Sequence, residues 1–467
     1  MAPNQDKLLY SIVDTERKML WANGVYTGKD YPRNTTHIIA TVLITILTSS
    51  FLTSMIVNMI LKKDDLGIVF EIIHMYITDF VWALKACYFV YTKNKFNALE
   101  ESLKDPVFNE FTRNQEHLVK QQIHKTKRLG NLFRGITLVT CACYILCPIL
   151  DGDVWAIPLW VPFTDGTPTI YYQLYESICF LSLATAHPSF DMLLVAFLNT
   201  MAIQLDILND NLMHSTDRNE DESFDVQEAR IRRRLRKCVI HHLAIVRFLS
   251  KLEKLFSFGI VMQIILSIIV ICTVGLQFLR VSLYSSTFLG IMFYFCTMIM
   301  EIGLYCWAGQ SIITKSNHIT TACYTSNWYN CSMSTKKMFL IIMERSKREI
   351  VFRGANFFDI SLATFVMVRL YKREIVFRGA NFFDISLATF VMHPAEIESP
   401  HVEKDVEKHR VSRALASQEH FRFPTRAALF QPRNEDNTRV PLYSRYQRGG
   451  MNTRTAEIHP SVSPLQV

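Results

Sequence analysis

The amino-acid sequence predicts an all-α, polytopic membrane helix bundle with six clear spans, an incomplete seventh span and a disordered C-terminal tail. Six long apolar stretches indicate the spans, because each can cross about 30 Å of hydrocarbon at about 1.5 Å per residue. Lys and Arg are concentrated on alternate connections, which places the N-terminus in the cytosol. An exact repeat followed by a polar segment separates the C-terminal region from the bundle.

The six apolar stretches divide the chain into a bundle with regions on either side. They run roughly over residues 37–61, 66–91, 132–150, 171–198, 256–279 and 287–313. Five regions follow from these limits: a cytosolic N-terminal segment (1–36), the six-span bundle (37–313), cytosolic anchor helices (314–349), a duplicated segment (350–392) and a basic tail (393–467). The polar start precedes no short apolar run, so we expect the first span to serve as its own membrane anchor.

Basic residues decide the predicted orientation. About five Lys and Arg precede the first span, about nine lie between the second and third, about ten between the fourth and fifth, and about six after the sixth. The other connections are nearly free of basic residues. The positive-inside rule therefore places the N-terminus and residues 93–134, 206–254 and 315–348 in the cytosol. This is the reverse of the orientation of a G-protein-coupled receptor.

Composition narrows the function classes. Hydrophobic residues make up 49% of the chain and charged residues 20%, and the net charge of +8 suits the anionic inner leaflet of a membrane better than nucleic acid. The sequence contains no Gly-rich phosphate loop, nucleophile elbow or His-Glu-x-x-His zinc motif. We therefore predict a binding and gating protein that is not an enzyme and has no catalytic residues, metal or other cofactor.

Four groups of residues resemble the insect odorant receptors. They are PLWVPF at 158–163, similar to the loop before the fourth helix of that family, and CVIHH, IVRF and LEKLF at 238–242, 245–248 and 252–256, similar to the cytosolic start of its fifth helix. The third group is YCWAG at 305–309 with Ser316, Ala322, Tyr324, Trp328 and Tyr329, similar to the end of the sixth helix. The fourth is TKKMFLIIMERS at 335–346, similar to the cytosolic half of the divided seventh helix. Their order and spacing agree with the inverted topology.

The resemblance implies an odorant-gated, non-selective cation channel. In that family a variable odorant-binding subunit forms a heterotetramer with a common co-receptor, and the last helices of the four subunits line one pore. The implied location is the plasma membrane of olfactory sensory neurons, and the implied partners are a small volatile odorant, the co-receptor and membrane lipid. Composition and periodicity alone indicate only a multi-span protein with a cytosolic N-terminus.

A volatile ligand needs a dry, aromatic-lined pocket with few polar groups. Aromatic and ionisable residues in the outer halves of the spans are the candidates for such a pocket. They are His74, Tyr76, Tyr144, Tyr175, Phe180, Phe293 and Tyr294. His74 and Glu71 stand out because ionisable groups at membrane depth are costly. Asp191 matches an acidic position common in the fourth helix of the family, so we expect it to face protein and not lipid.

Residues 338–343 are apolar on every face of a helix, so we expect this segment to be buried against other cytosolic helices. The candidate assembly residues are Trp328, Met338, Leu340 and Ile342.

The C-terminal region departs from the family. Residues 347–367 (KREIVFRGANFFDISLATFVM) recur unchanged at 372–392, which indicates an exon duplication or an error in the assembled gene. Residues 357–365 resemble the start of the pore helix, but residues 357–370 give only about 21 Å of helix against about 30 Å of hydrocarbon. The polar, Pro-containing tail at 393–467 cannot bury a core, so we expect it to be disordered.

Two alternatives to a conducting odorant receptor subunit remain from the sequence. One is a truncated, non-conducting relative that folds through six spans but cannot line a pore. The other is a gustatory receptor of the same superfamily, although the signature of those receptors is missing near Thr364. Transporters are disfavoured because the spans show no inverted internal repeat.

Overall fold

The computed structural model describes residues 8–28, 31, 34–151, 157–160, 169–218, 223–278, 280–281, 285–354 and 358–361. The predicted tail, the second copy of the repeat and most of the first copy's pore-helix-like segment lie outside the described residues. Nine α-helices occupy the described part of the chain. They are α1 Asp14–Ala22, α2 Thr35–Leu61, α3 Leu66–Glu101, α4 Pro106–Asn109, α5 Arg113–Asp151, α6 Thr169–Met213, α7 Phe224–Phe278, α8 Ser286–Thr325 and α9 Met333–Ser346.

Six of these helices, α2, α3, α5, α6, α7 and α8, are long and apolar enough to cross a membrane. The six predicted spans are therefore confirmed. The helices extend well past the apolar stretches: α7 has 55 residues and begins before its Arg-rich segment. A hydrocarbon crossing needs only about 20 residues, so several turns of α7 project beyond the apolar part of the bundle.

Local sequence fixes where several helices begin. The Asp65 carboxylate accepts from the backbone N–H of Gly67 at 2.9 Å at the start of α3, and the Ser285 hydroxyl accepts from that of Phe288 at 3.1 Å at the start of α8. Asp105 caps α4, in which Pro106 occupies the first turn. These residues satisfy N–H groups that have no partner within their own helix.

Helix α6 lies at the centre of the bundle. It packs against α5, α7, α8 and α1, whereas α2 leaves many of its apolar side chains exposed, as a lipid-facing helix does. Pro188 lies inside α6 without ending it, a feature that membrane helices tolerate when neighbouring groups satisfy the freed backbone carbonyl. The segment that follows Pro188 is almost completely buried, and it includes Asp191. The expectation that Asp191 faces protein is therefore met in this fold.

The N-terminal helix α1 is held against the bundle by buried charges. Arg17 Nε donates to Glu100 Oε1 at 2.9 Å, and Arg134 Nη1 donates to Glu16 Oε1 at 3.0 Å. The Tyr26 hydroxyl donates to the other Glu100 oxygen at 2.8 Å. Burial, and then the negative charge of Glu100, raise the pKa of Tyr26, so its hydroxyl remains a donor. Residues before the first span thus belong to the folded core.

The described chain ends in a small antiparallel hairpin of two strands, β1 Arg353–Gly354 and β2 Phe358–Asp359. The next residue, Ile360, is buried, and its backbone N–H donates to the Phe352 carbonyl at 2.9 Å. The backbone of Ile360 lies so close to α8 at Gly309 that a β-carbon there would collide with it. The sequence predicts the start of a pore helix at this point. That expectation is wrong for Phe358 to Ser361, because strand pairing and contact with Gly309 hold these residues in another conformation.

Candidate functional site

A cavity lies between α3, α5, α6 and α8, with about 650 Å³ of space not filled by protein atoms. Its walls are mostly apolar and aromatic, with polar groups contributed by all four helices. The lining residues are Met75, Thr78, Asp79, Trp82, Phe133, Thr137, Thr140, Cys141, Tyr144, Phe180, Leu183, Ala184, His187, Pro188, Tyr294, Thr297, Met298 and Glu301. This lining is that of a site for a small, largely apolar molecule.

Three of the predicted ligand-binding residues form one aromatic cluster at the wall of this cavity. The ring of Tyr294 stands edge-on to His74 at 5.1 Å and to Tyr144 at 5.9 Å between ring centroids. His74 Nε2 lies 3.3 Å from the Tyr144 hydroxyl oxygen, and the Tyr294 hydroxyl bonds to that of Thr78. Aromatic rings at these distances attract one another, which adds to the free energy gained by burying them. The cluster therefore gives the cavity a rigid wall with its polar atoms already bonded.

Phe180 joins the cluster from α6. Its ring centroid is 6.5 Å from that of Tyr144 and 5.6 Å from that of Phe51 on α2. Four predicted residues, His74, Tyr144, Phe180 and Tyr294, therefore come together, and all but His74 line the cavity itself.

The other three predicted residues lie elsewhere. The Tyr175 hydroxyl bonds to that of Ser50 at 2.7 Å between α6 and α2, and Tyr76 stacks on the exposed ring of Phe80. Phe293 precedes Tyr294 on α8 and is half-buried on another face. Neighbouring residues of a helix point about 100° apart, so a ring can miss the cavity although its neighbour lines it.

A second cavity, with about 900 Å³ of space, shares Tyr144 with the first. His74, Glu71 and Gln277 also line it, as does Arg280 from the segment after α7. Gln277 Nε2 donates to the Phe70 carbonyl at 3.0 Å and lies 3.4 Å from His74 Nδ1. His74 and Tyr144 thus stand where the two cavities adjoin, and this second space is the more polar of the two.

The structure adds a buried charged cluster that the sequence analysis missed. Lys85 Nζ lies 2.7 Å from Asp191 Oδ1 and 3.6 Å from Glu301 Oε1. His187 Nε2 lies 3.5 Å from Asp191 and 3.7 Å from Glu301, and the Tyr305 hydroxyl donates to Asp191. His187, Asp191 and Glu301 are close enough to share a metal ion, but the Lys85 ammonium group already supplies a positive charge between the two carboxylates.

Asp79 is the other missed residue. It lies on α3 in the cavity wall, its side chain is buried, and it forms no hydrogen bond or ion pair with the described residues. The signal for Asp79, Lys85 and Glu301 was present in the sequence, because ionisable residues inside an apolar span are costly and mark functional sites. Among the ionisable residues of the spans, only Glu71 and His74 were predicted on this ground.

The predicted assembly residues lie on or near α9. Leu340 is 52% exposed and its neighbour Ile341 is 68% exposed, whereas Met338 and Ile342 are partly buried against the bundle. Trp328 packs on the buried ring of Phe339 at 6.5 Å. Among the described residues, no helix covers the face of α9 that carries Leu340 and Ile341, so burial of residues 338–343 in an assembly stays a prediction.

The match to a family of known proteins decides the class of this chain. A family model described as the 7tm odorant receptor matches residues 65–369, which is well over half of the sequence. The chain belongs to this odorant receptor family. The match agrees with the resemblance drawn from the motifs and disfavours the gustatory alternative. Members of the family are receptors and not enzymes.

Individual relatives of this odorant receptor are distant. Odorant receptor 94a of Drosophila melanogaster is 26% identical over 242 residues, covering 51% of this chain and 59% of that protein. Odorant receptor 22c of the same fly is 29% identical over 133 residues, or 27% and 32% of the two chains. The odorant receptor coreceptor of Anopheles gambiae is 26% identical over 145 residues, or 30% of each chain. The receptor thus matches less than two thirds of the length of each.

Solved structures show the same fold. The olfactory receptor OR5 of the insect Machilis hrabei, in complex with eugenol, superposes with a TM-score of 0.68 over 79% of this chain and 97% of that chain, at 15% identity. A second structure of the same receptor gives a TM-score of 0.67. The six-span architecture of this odorant receptor is therefore that of a known insect receptor.

Proposed function

We propose that this chain is the odorant-binding subunit of a ligand-gated cation channel, and that its ligand occupies the cavity between α3, α5, α6 and α8. The observation that carries the proposal is the aromatic wall formed by Tyr144, Phe180 and Tyr294 around a largely apolar space. Burial of apolar ligand surface supplies about 25 cal/mol per Å². The eugenol complex of the Machilis receptor supports a ligand of similar size and character.

The proposed partner is the odorant receptor co-receptor in a heterotetramer. Support comes from the exposed apolar face of α9, where Leu340 and Ile341 face away from their own chain, and from the similarity to mosquito co-receptors. An apolar patch on an otherwise polar cytosolic helix marks an interaction surface. The proposed location is the plasma membrane of olfactory sensory neurons, with the N-terminus in the cytosol and membrane lipid around the bundle.

The second candidate is a non-conducting relative that binds odorant but lines no pore. The hairpin of β1 and β2 favours it, since these residues stand where the family would begin a pore helix. Joining the two repeat copies would also place Arg369, Lys372, Arg373 and Glu374 in hydrocarbon, at about 2.5 to 3.5 kcal/mol for each central charge.

Odorant-evoked current in oocytes that express the chain with a co-receptor separates the two candidates. Current above that of the co-receptor alone supports the conducting subunit. If there is none, residues 368–467 are replaced with an apolar helix of about twenty residues, long enough to span. Restored current then identifies a non-conducting relative with an intact binding bundle. If neither the unaltered nor the altered chain gives odorant-evoked current, although both reach the cell surface normally, the proposed function is contradicted.

A further inference from the structure

We infer that the cavity selects ligands that carry a protonated amine, with the Asp79 carboxylate as the counterion. This inference rests on the proposed function, because it names the chemical class of ligand for the same cavity.

The first observation is that Asp79 is buried without a hydrogen-bond or ion-pair partner among the described residues. Its side chain lines the cavity, only 8% of the residue is exposed, and its Oδ2 atom has no hydrogen-bond partner in the described part of the chain. An ionised carboxylate in such a place is costly unless an opposite charge approaches it. Because Asp79 borders a cavity, the missing positive charge can come from a ligand.

The second observation is the charge balance around the cavity. Lys85 is the cation of the buried cluster, and it already faces Asp191 at 2.7 Å and Glu301 at 3.6 Å. Glu301 and Asp79 both line the cavity, and none of the described residues that line it is Lys or Arg. One ammonium group therefore serves two carboxylates while Asp79 is a third. The imbalance favours a cationic ligand over a neutral or anionic one.

The third observation concerns the rest of the ligand. The remaining walls carry the rings of Trp82, Phe133, Phe180, Tyr144 and Tyr294. Such walls bury an apolar body, and aromatic faces also attract ammonium groups. A primary amine on a short alkyl chain with one aromatic ring combines the two requirements. An alcohol of the same shape could donate one hydrogen bond to Asp79 but would leave the negative charge of the carboxylate without a counterion.

The test compares 2-phenylethylamine with 2-phenylethanol, two molecules of the same shape, on the purified full-length chain in detergent. Apparent dissociation constants are obtained from ligand-dependent thermal unfolding at neutral pH. Asp79→Asn removes the charge with almost no change of volume. Glu71→Gln is the matched control, because it removes a carboxylate from the same helix but from the lining of the second cavity.

We expect the wild type and Glu71→Gln to bind the amine at least about tenfold more tightly than the alcohol, the size expected of a hydrogen bond to a charged group. Asp79→Asn should lose this preference and still bind the alcohol. An equal preference in Asp79→Asn and the wild type, or tighter binding of the alcohol by the wild type, overturns the inference.

Two further results keep the inference separate from the proposed function. If the alcohol binds and the amine binds no more tightly, the inference of an amine ligand fails while the proposed odorant site stands. If neither molecule stabilises the wild type and neutral aromatic odorants also fail, the proposed function fails as well. Should Asp79→Asn not fold, a wild-type preference for the amine below about threefold already overturns the inference.

Discussion

Glu228 accepts hydrogen bonds from both the backbone N–H and the hydroxyl group of Ser332, 104 residues further along the chain, at 2.9 and 2.7 Å. The same carboxylate accepts from the Thr335 hydroxyl at 2.7 Å. Ser332 caps α9 and Glu228 lies in the first turns of α7. One buried side chain thus joins the helix that enters the bundle to the helix that presents Leu340.

We predict that Glu228→Ala loosens α9. The change leaves the N–H of Ser332 and the hydroxyl of Thr335 without their acceptor, at a cost of about 1–3 kcal/mol. Hydrogen exchange of the α9 amides should accelerate by roughly tenfold or more, because the N-terminal turn has lost its anchor. The control is Glu110→Ala, which breaks an exposed ion pair with Lys237 and should cost less than about 1 kcal/mol. Unchanged protection of α9 in Glu228→Ala would refute this role.

A second prediction concerns the buried pair that docks α1. Arg17→Met should destabilise the protein by about 3–5 kcal/mol, since it leaves the Glu100 carboxylate buried beside Tyr26 without its cation. Adding Glu100→Gln should recover most of that loss because the uncompensated charge is gone. Thermal unfolding of the purified variants in detergent measures the loss of stability in the single variant and its recovery in the double variant. A double variant less stable than Arg17→Met would show that the pair is not coupled as described.

The assembly surface gives a third prediction. Leu340→Glu should abolish co-purification with the co-receptor and leave the stability of the single chain nearly unchanged, because Leu340 is exposed in that chain. Ile342→Glu should instead lower the stability as well, since Ile342 is packed against the bundle. Ser334→Glu adds the same charge on the exposed face of the first turn of α9 and is the control. Normal recovery of Leu340→Glu with the co-receptor would remove α9 from the interface.

The orientation of the bundle is a fourth prediction. The roughly ten basic residues between the fourth and fifth spans oppose translocation, so an epitope tag inserted at Glu220 should be cytosolic. Antibody should label the tag only after cells are permeabilised. A tag at Gly152, on the side predicted to be extracellular, is the comparison and should be labelled on intact cells. Labelling of the Glu220 tag on intact cells would contradict the predicted orientation.

Much of the fold follows from the sequence, since long apolar stretches and the distribution of basic residues indicate the spans. The length of the helices does not, because polar turns at the C-terminal end of α3 and the N-terminal end of α7 are stabilised by packing rather than by hydropathy. The hairpin after α9 also escaped prediction. Its strands have two residues each, and contact with Gly309 fixes a conformation that local periodicity cannot show.

Only part of the candidate site could be predicted. Aromatic residues at plausible depth were found, but the helix face that each occupies depends on tertiary packing, so Tyr144 and Tyr294 meet while Tyr76 points elsewhere. Asp79 and Glu301 could have been found from the sequence by the cost of charge in a span. The contact of Glu301 with Lys85 could not, because it depends on how α8 packs against α3.

The central claim is that the cavity between α3, α5, α6 and α8 holds the ligand, and filling that cavity tests it most directly. Ala184 on α6 lines the cavity and Leu181 on the same helix is exposed. The measurement is stabilisation of the purified chain by a small neutral aromatic odorant such as eugenol. We predict saturable stabilisation of the wild type and Leu181→Phe, about 2.7 kcal/mol at a hundredfold excess over the dissociation constant, and none for folded Ala184→Leu. Equal stabilisation of Ala184→Leu would place the ligand outside this cavity and contradict the account.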